Sequence, residues 1–88
     1  MTRSAFTVEY DRFRRLLVEA RKTAGLTQAE LAARLSRPQS FVSKIERGER
    51  RLDVVEFFEV AQALGIDALK FLKQLYGGQA PRGKAGAR

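Results

Sequence analysis

The chain has 88 residues, with 17 Lys+Arg against 10 Asp+Glu for a formal net charge of +7, 44% hydrophobic residues, and neither cysteine nor histidine. That length suits one domain on one core, and the apolar fraction is that of a folded chain. A disulfide framework, a thiolate or imidazole metal site and the usual general base are excluded.

No apolar run approaches the ~20 residues that cross a bilayer. The N-terminal stretch MTRSAFTVEY lacks a secretory segment, so cytoplasmic residence is the expectation. The positive balance favours polyanionic partners, nucleic acid ahead of an anionic membrane surface.

Phe13, Leu16, Leu17, Ala20 and Ala24 recur at helical spacing and predict a first helix over about 8–24. Thr7 is its expected cap, Glu9 and Asp11 suit the positive end of the helix dipole, and Gly25 stops it. Thr27-x-x-Glu30 is a capping box that opens a second helix over about 27–35, with Leu31, Ala32 and Leu35 inward. Pro38 cannot sit inside a helix, so a third begins there and runs over about 38–47 to Gly48. Its inward residues are Val42 and Ile45, with Phe41 at the edge of that face.

Asp53 and Glu56 repeat the cap arrangement, and Leu52 with Phe57 has the spacing of a hydrophobic staple. Val54, Phe57, Phe58, Ala61 and Leu64 then mark a fourth helix over about 54–64. Ile66 and Phe71 flank a cap at Asp67 that opens a fifth over about 67–76. The remaining GGQAPRGKAGAR, 77–88, is rich in Gly and Ala and is expected to be a disordered basic tail following a domain over 1–76.

Two short helices joined by a tight turn, the second with a polar outer face, form a helix-turn-helix pattern. A single α-helix fits the major groove of B-DNA, where each base pair presents its own pattern of donors and acceptors. At 100° steps, Ser40, Ser43, Lys44 and Arg47 fall on one side of the third helix with Gln39 beside them, opposite Val42 and Ile45. Charge follows the same geography: six basic residues lie between Arg34 and Arg51, against the acids Glu46 and Glu49. The charge is clustered, which points to double-stranded nucleic acid.

Residues 13–69 resemble the Cro/repressor-type (XRE-type) helix-turn-helix regulators, through AGLTQAELAxxL, then PQSFVSKIERGER, then ALGI, in order and at the right spacing. The resemblance implies an all-α, five-helix, lambda-repressor-like DNA-binding domain. It implies base contacts from Gln39, Ser40, Ser43 and Lys44, and phosphate contacts from Gln28, Arg37, Arg47 and Arg50. It also matches Arg21 and Glu46 to a pair that ties the first helix to the third, a scaffold role. One position departs: Ser36 stands where the family usually has Gly, at a turn that tends to need a positive φ, so either Ser36 takes that strain or the turn has a different shape.

Without the motif, Gln39, Ser40 and Ser43 are an ordinary solvated face, and Gln28 is a good first-turn residue. Phe41 reads as core edge before a thymine-methyl contact. Phe57, Phe58, Phe71 and Tyr76 are spaced as core and form no stacking platform for single strands. No carboxylate pair lies in an apolar context and no phosphate-binding loop is present, so no enzymatic activity, cofactor or metal is expected.

On the fifth helix, Leu69 and Tyr76 widen the apolar stripe of Ala68, Phe71, Leu72 and Leu75 beyond one core's needs, and Val60 extends it. A homodimer through Leu69, Leu72 and Tyr76 follows, with two recognition helices about 34 Å apart on an inverted repeat, most simply as a repressor. The alternative is a protein-interaction module, such as the antitoxin partner of a toxin, with DNA binding secondary. Membrane attachment through the tail and fifth helix is disfavoured, because the basic residues concentrate elsewhere.

Overall fold

In the computed structural model, which describes residues 7–77, all regular structure is helical. The helices are α1 (Val8–Thr23), α2 (Gln28–Arg34), α3 (Gln39–Glu46), α4 (Val54–Leu64) and α5 (Ala68–Tyr76). Of the tail expected over 77–88, residues 78–88 lie outside the described residues, and Gly77 caps α5. No helix among the described residues is long and apolar enough to cross a membrane.

Local chemistry accounts for the boundaries. Thr7 accepts from the Tyr10 amide to open α1. Thr27 and Glu30 close a reciprocal capping box on α2, Asp53 and Glu56 another on α4, and Asp67 accepts from two amides at the start of α5. Each box satisfies backbone donors that the first turn of a helix otherwise leaves free. At α3 the cap is Pro38 itself, one residue ahead of the helix, with no side-chain cap bond.

The other ends of α1 to α4 share one device. After α2, the Ser36 amide donates to the Ala33 carbonyl at 3.1 Å and the Arg37 amide to Ala32 at 3.0 Å. After α3, the Gly48 and Glu49 amides make the equivalent pair of bonds to Ile45 and Lys44. This two-bond closure needs its central residue at positive φ. Gly48 supplies it at 80°, and Ser36 takes it at 56°, the only non-glycine described residue to do so. The turn thus keeps the shape that glycine would give it, and Ser36 bears a left-handed strain of about 1–2 kcal/mol.

The core gathers one face of every helix: Phe13 and Leu17, Leu31 and Ala32, Phe41, Val42 and Ile45, Phe57, Val60 and Leu64, and Phe71. Phe13, Phe57 and Phe71 form an aromatic triangle with ring centroids 5.4–5.7 Å apart, joining α1, α4 and α5. The helix-turn-helix unit docks through contacts of α2 with α3 and α4, and of α1 with α3.

Several expectations about faces change. Val60, expected to widen the outer stripe, is buried at 4% exposure, because that side of α4 turns into the core. Phe58 and Val54, expected inward, are 51% and 67% exposed. Tyr76, read both as core-spaced and as part of the outer stripe of the fifth helix, is half-exposed and so fits the stripe. Phe41, expected at the core edge, is buried.

Candidate nucleic-acid interface

The turn and the buried Phe41, Val42 and Ile45 fix how α3 sits, and its opposite face is left to solvent. Gln39, Ser40, Lys44 and Arg47 are exposed, and Ser43 is half-buried with its hydroxyl donating back to the Ser40 carbonyl at 3.3 Å. Lys44 makes no ion pair with any described residue, so its charge is available to an outside anion. The structure thus brings all four expected base-contact residues onto one open, polar strip of helix.

Behind that strip lies a chain of polar contacts. Arg21 donates to both carboxylate oxygens of Glu46, at 2.7 and 3.0 Å, and to the Leu26 carbonyl at 2.8 Å. The Arg21 and Glu46 side chains are only 11% and 10% exposed, so this is the scaffold pair expected between the first and third helices. The Gln28 amide also donates to Glu46, at 2.8 Å, and its oxygen receives a long contact of 3.5 Å from Gln39. Arg14, which the sequence reading passed over, donates to the Glu46 main-chain carbonyl at the end of α3. Gln28 is therefore fixed against α3, with Gln39 leaning on it.

The expected phosphate ligands fall into two kinds. Arg47 pairs with Glu49 at 2.9 Å, both side chains more than half exposed. So exposed a pair is screened by solvent and contributes little, and a phosphate can displace it. Arg50, also expected on phosphate, donates instead to both oxygens of Glu56 at 2.9 Å each. Arg37 lies 3.8 Å from both Glu56 and Glu59. The two guanidinium groups stack on the Phe41 ring, 4.3 and 4.8 Å from its centroid. Sequence reasoning recognised Glu56 only as a cap; its role as anchor of two arginines was missed, and its position after Arg50 was the one available signal.

The Arg50 hydrogen bonds, with the Asp53 amide, hold the Glu56 carboxyl down from its ordinary 4.5 to about 2. Because the folded pKa lies below the unfolded one, this group stabilises the fold at pH above about 4.5 and loses that contribution as pH falls toward 2. Chemical denaturation at pH 5 and at pH 2.5 should show the native chain losing about 1–3 kcal/mol more than Glu56→Gln does over the same interval.

Residues 17–71 match the model of the helix-turn-helix family. An uncharacterized HTH-type transcriptional regulator of Sinorhizobium fredii, y4dJ, is 40% identical over 52 residues, covering 59% of this chain and 68% of that protein. An XRE-family like protein from Pseudomonas syringae pv. tomato has a solved structure that is 52% identical, with a TM-score of 0.78 over 81% of this chain and 87% of that one. A restriction-modification controller protein from Aeromonas hydrophila is 31% identical, with a TM-score of 0.67 over 74% and 98% of the two chains.

Proposed function

This chain belongs to the helix-turn-helix family of XRE-type, DNA-binding transcriptional regulators, and from that premise we propose that it is a non-catalytic, sequence-specific repressor that binds an inverted repeat in double-stranded DNA as a homodimer. The observation that carries this reading is the open face of α3: four short polar or cationic side chains outward, three large apolar ones buried behind them. A helix so dressed can enter the major groove, where Lys44 offers donors to guanine and Gln39 a bidentate amide to adenine. Ser40 and Ser43 read by single hydrogen bonds at closer range. Gln28 and Arg47 flank the strip and supply contacts to the phosphate backbone, setting register without reading sequence. Arg37 and Arg50 border the same helix, and their engagement with Glu56 sets how much of their charge a phosphate meets.

Dimerisation is supported by the outer face of α5, where Leu69 and Tyr76 stand in solvent beside half-buried Leu72. Two copies joined there would present paired recognition helices, and repression follows from occupying a site that polymerase needs.

Selection from random-sequence duplex DNA with the purified protein tests the reading directly. An inverted repeat with half-site centres one helical turn apart is the expected winner. Against that site, Lys44→Ala should cost about 1–3 kcal/mol and relax preference at one base pair. Arg47→Ala should weaken every sequence by a similar factor. If both substitutions weaken all duplexes equally, the assignment of base and phosphate contacts is wrong.

A further inference from the structure

We infer that Glu56 is a built-in counter-anion that holds Arg37 and Arg50 against Phe41 and so limits the sequence-independent affinity of this domain for duplex DNA. This rests on the DNA-binding reading above and adds a residue outside the helix-turn-helix that controls it.

The cluster is drawn from four places in the chain. Arg37 comes from the turn after α2, Phe41 from the first turn of α3, Arg50 from the segment after α3, and Glu56 from the first turn of α4. Arg37 precedes α3 and Arg50 follows it, yet both guanidinium groups meet on the Phe41 ring in its first turn, beside the helix that the DNA-binding reading places on the duplex. Each already has an anion. Arg50 meets both oxygens of Glu56, and the Glu56 side chain is only 13% exposed. Glu56 is itself fixed by the Asp53 amide, 3.0 Å from one of those oxygens. Arg37 shares Glu56 with Glu59.

A phosphate that took Arg50 would replace one bound anion with another. It would break a two-pronged, charge-assisted contact and uncover Phe41. No condensed counterion is offset by a cation that stays paired within the protein. Sequence-independent binding draws nearly all its strength from that release, with a salt slope of about 0.9 per phosphate neutralised. Two cations per protomer are thus held in reserve near the DNA without adding to the background. Lys44, on α3 between them in the chain, contrasts with both: it makes no ion pair with any described residue.

Glu56→Gln is the decisive variant. A Gln at the third position of the helix still accepts from the capping amide, so the box survives while the negative charge is removed. Binding of native, E56Q and E56Q/R50Q chains to a duplex lacking the selected site should be titrated across 50–300 mM salt. E56Q is expected to bind about tenfold tighter or more at 100 mM, with a slope steeper by about 2 per dimer, and up to about 4 if Arg37 is freed as well. Adding R50Q should reverse about 2 of that gain, which a merely structural role for Glu56 would not produce. Equal slopes for native and E56Q overturn the inference.

Should E56Q lose its helical circular dichroism, the native chain decides alone. On that duplex, Arg50 guanidinium NMR signals that keep their shift and slow exchange support the inference, and signals that move overturn it. A native chain that binds no duplex at any salt overturns the DNA-binding reading as well, so the two failures are distinguishable.

Discussion

Raising salt from 50 to 200 mM should lower the affinity of the proposed dimer for its selected site about 10³-fold. A protein that neutralises about six phosphates loses binding at that rate, because each contact returns a counterion to the duplex when it breaks. Three cationic contacts per protomer suffice. Two of them are Lys44, which makes no ion pair with any described residue, and Arg47, held only by an exposed pair with Glu49, so both can change partners at little cost. The net charge of +7 adds a longer-range attraction that the same salt screens. The size of the drop carries a second message. A fall nearer 10⁵-fold corresponds to about ten phosphates, which requires Arg37 and Arg50 to leave Glu56 on the DNA. Fluorescence anisotropy on a labelled duplex across that range separates the two outcomes. A nearly salt-independent affinity would contradict the phosphate contacts altogether.

The ends of helices were readable because their determinants are local. Thr27 with Glu30, Asp53 with Glu56 and Asp67 alone each satisfy amides within three residues, and all three act as the sequence suggested. The open polar strip on α3 was readable for a related reason: a 100° step separates Val42 and Ile45 from Ser40, Ser43 and Lys44 whatever surrounds the helix. Arg21 with Glu46 was found through family resemblance, since nothing about a separation of 25 residues points to contact.

What stayed hidden depends on neighbours. Periodicity shows that α4 has an apolar side but not which edge of that side meets α2 and α5. Val60 therefore turned out buried while Val54 and Phe58 turned out exposed. Glu56 carried two messages in one side chain, a short-range cap and a carboxylate for Arg50, and only the first is visible in a sequence window. At Ser36 the departure from glycine left the turn's shape open. The two amide bonds to Ala32 and Ala33 decide it, by enforcing the left-handed conformation on a residue that pays for it.

If the chain dimerises through α5 as proposed, Leu69→Glu should yield a folded monomer and cut affinity for an inverted repeat by about 10²–10⁴-fold. Leu69 is 70% exposed and lies outside the buried cluster, so the substitution removes no core contact. Helical circular dichroism and thermal stability should therefore stay close to those of the native chain. In a two-fold interface the new carboxylate would face its own copy at the same spot, so one substitution introduces two like charges into an apolar contact. Sedimentation at micromolar concentration reads the loss of association. The fall in affinity follows because binding of the second half-site ceases to be intramolecular, while affinity for an isolated half-site is unchanged. That half-site control matters, since it separates a broken dimer from a damaged recognition helix. If Leu69→Glu still sediments as a dimer and Phe58→Glu does not, the contact lies on α4, whose Phe58 is also left half in solvent. If both variants and the native chain sediment as monomers, with and without operator, each half-site is bound independently and the two-fold model fails.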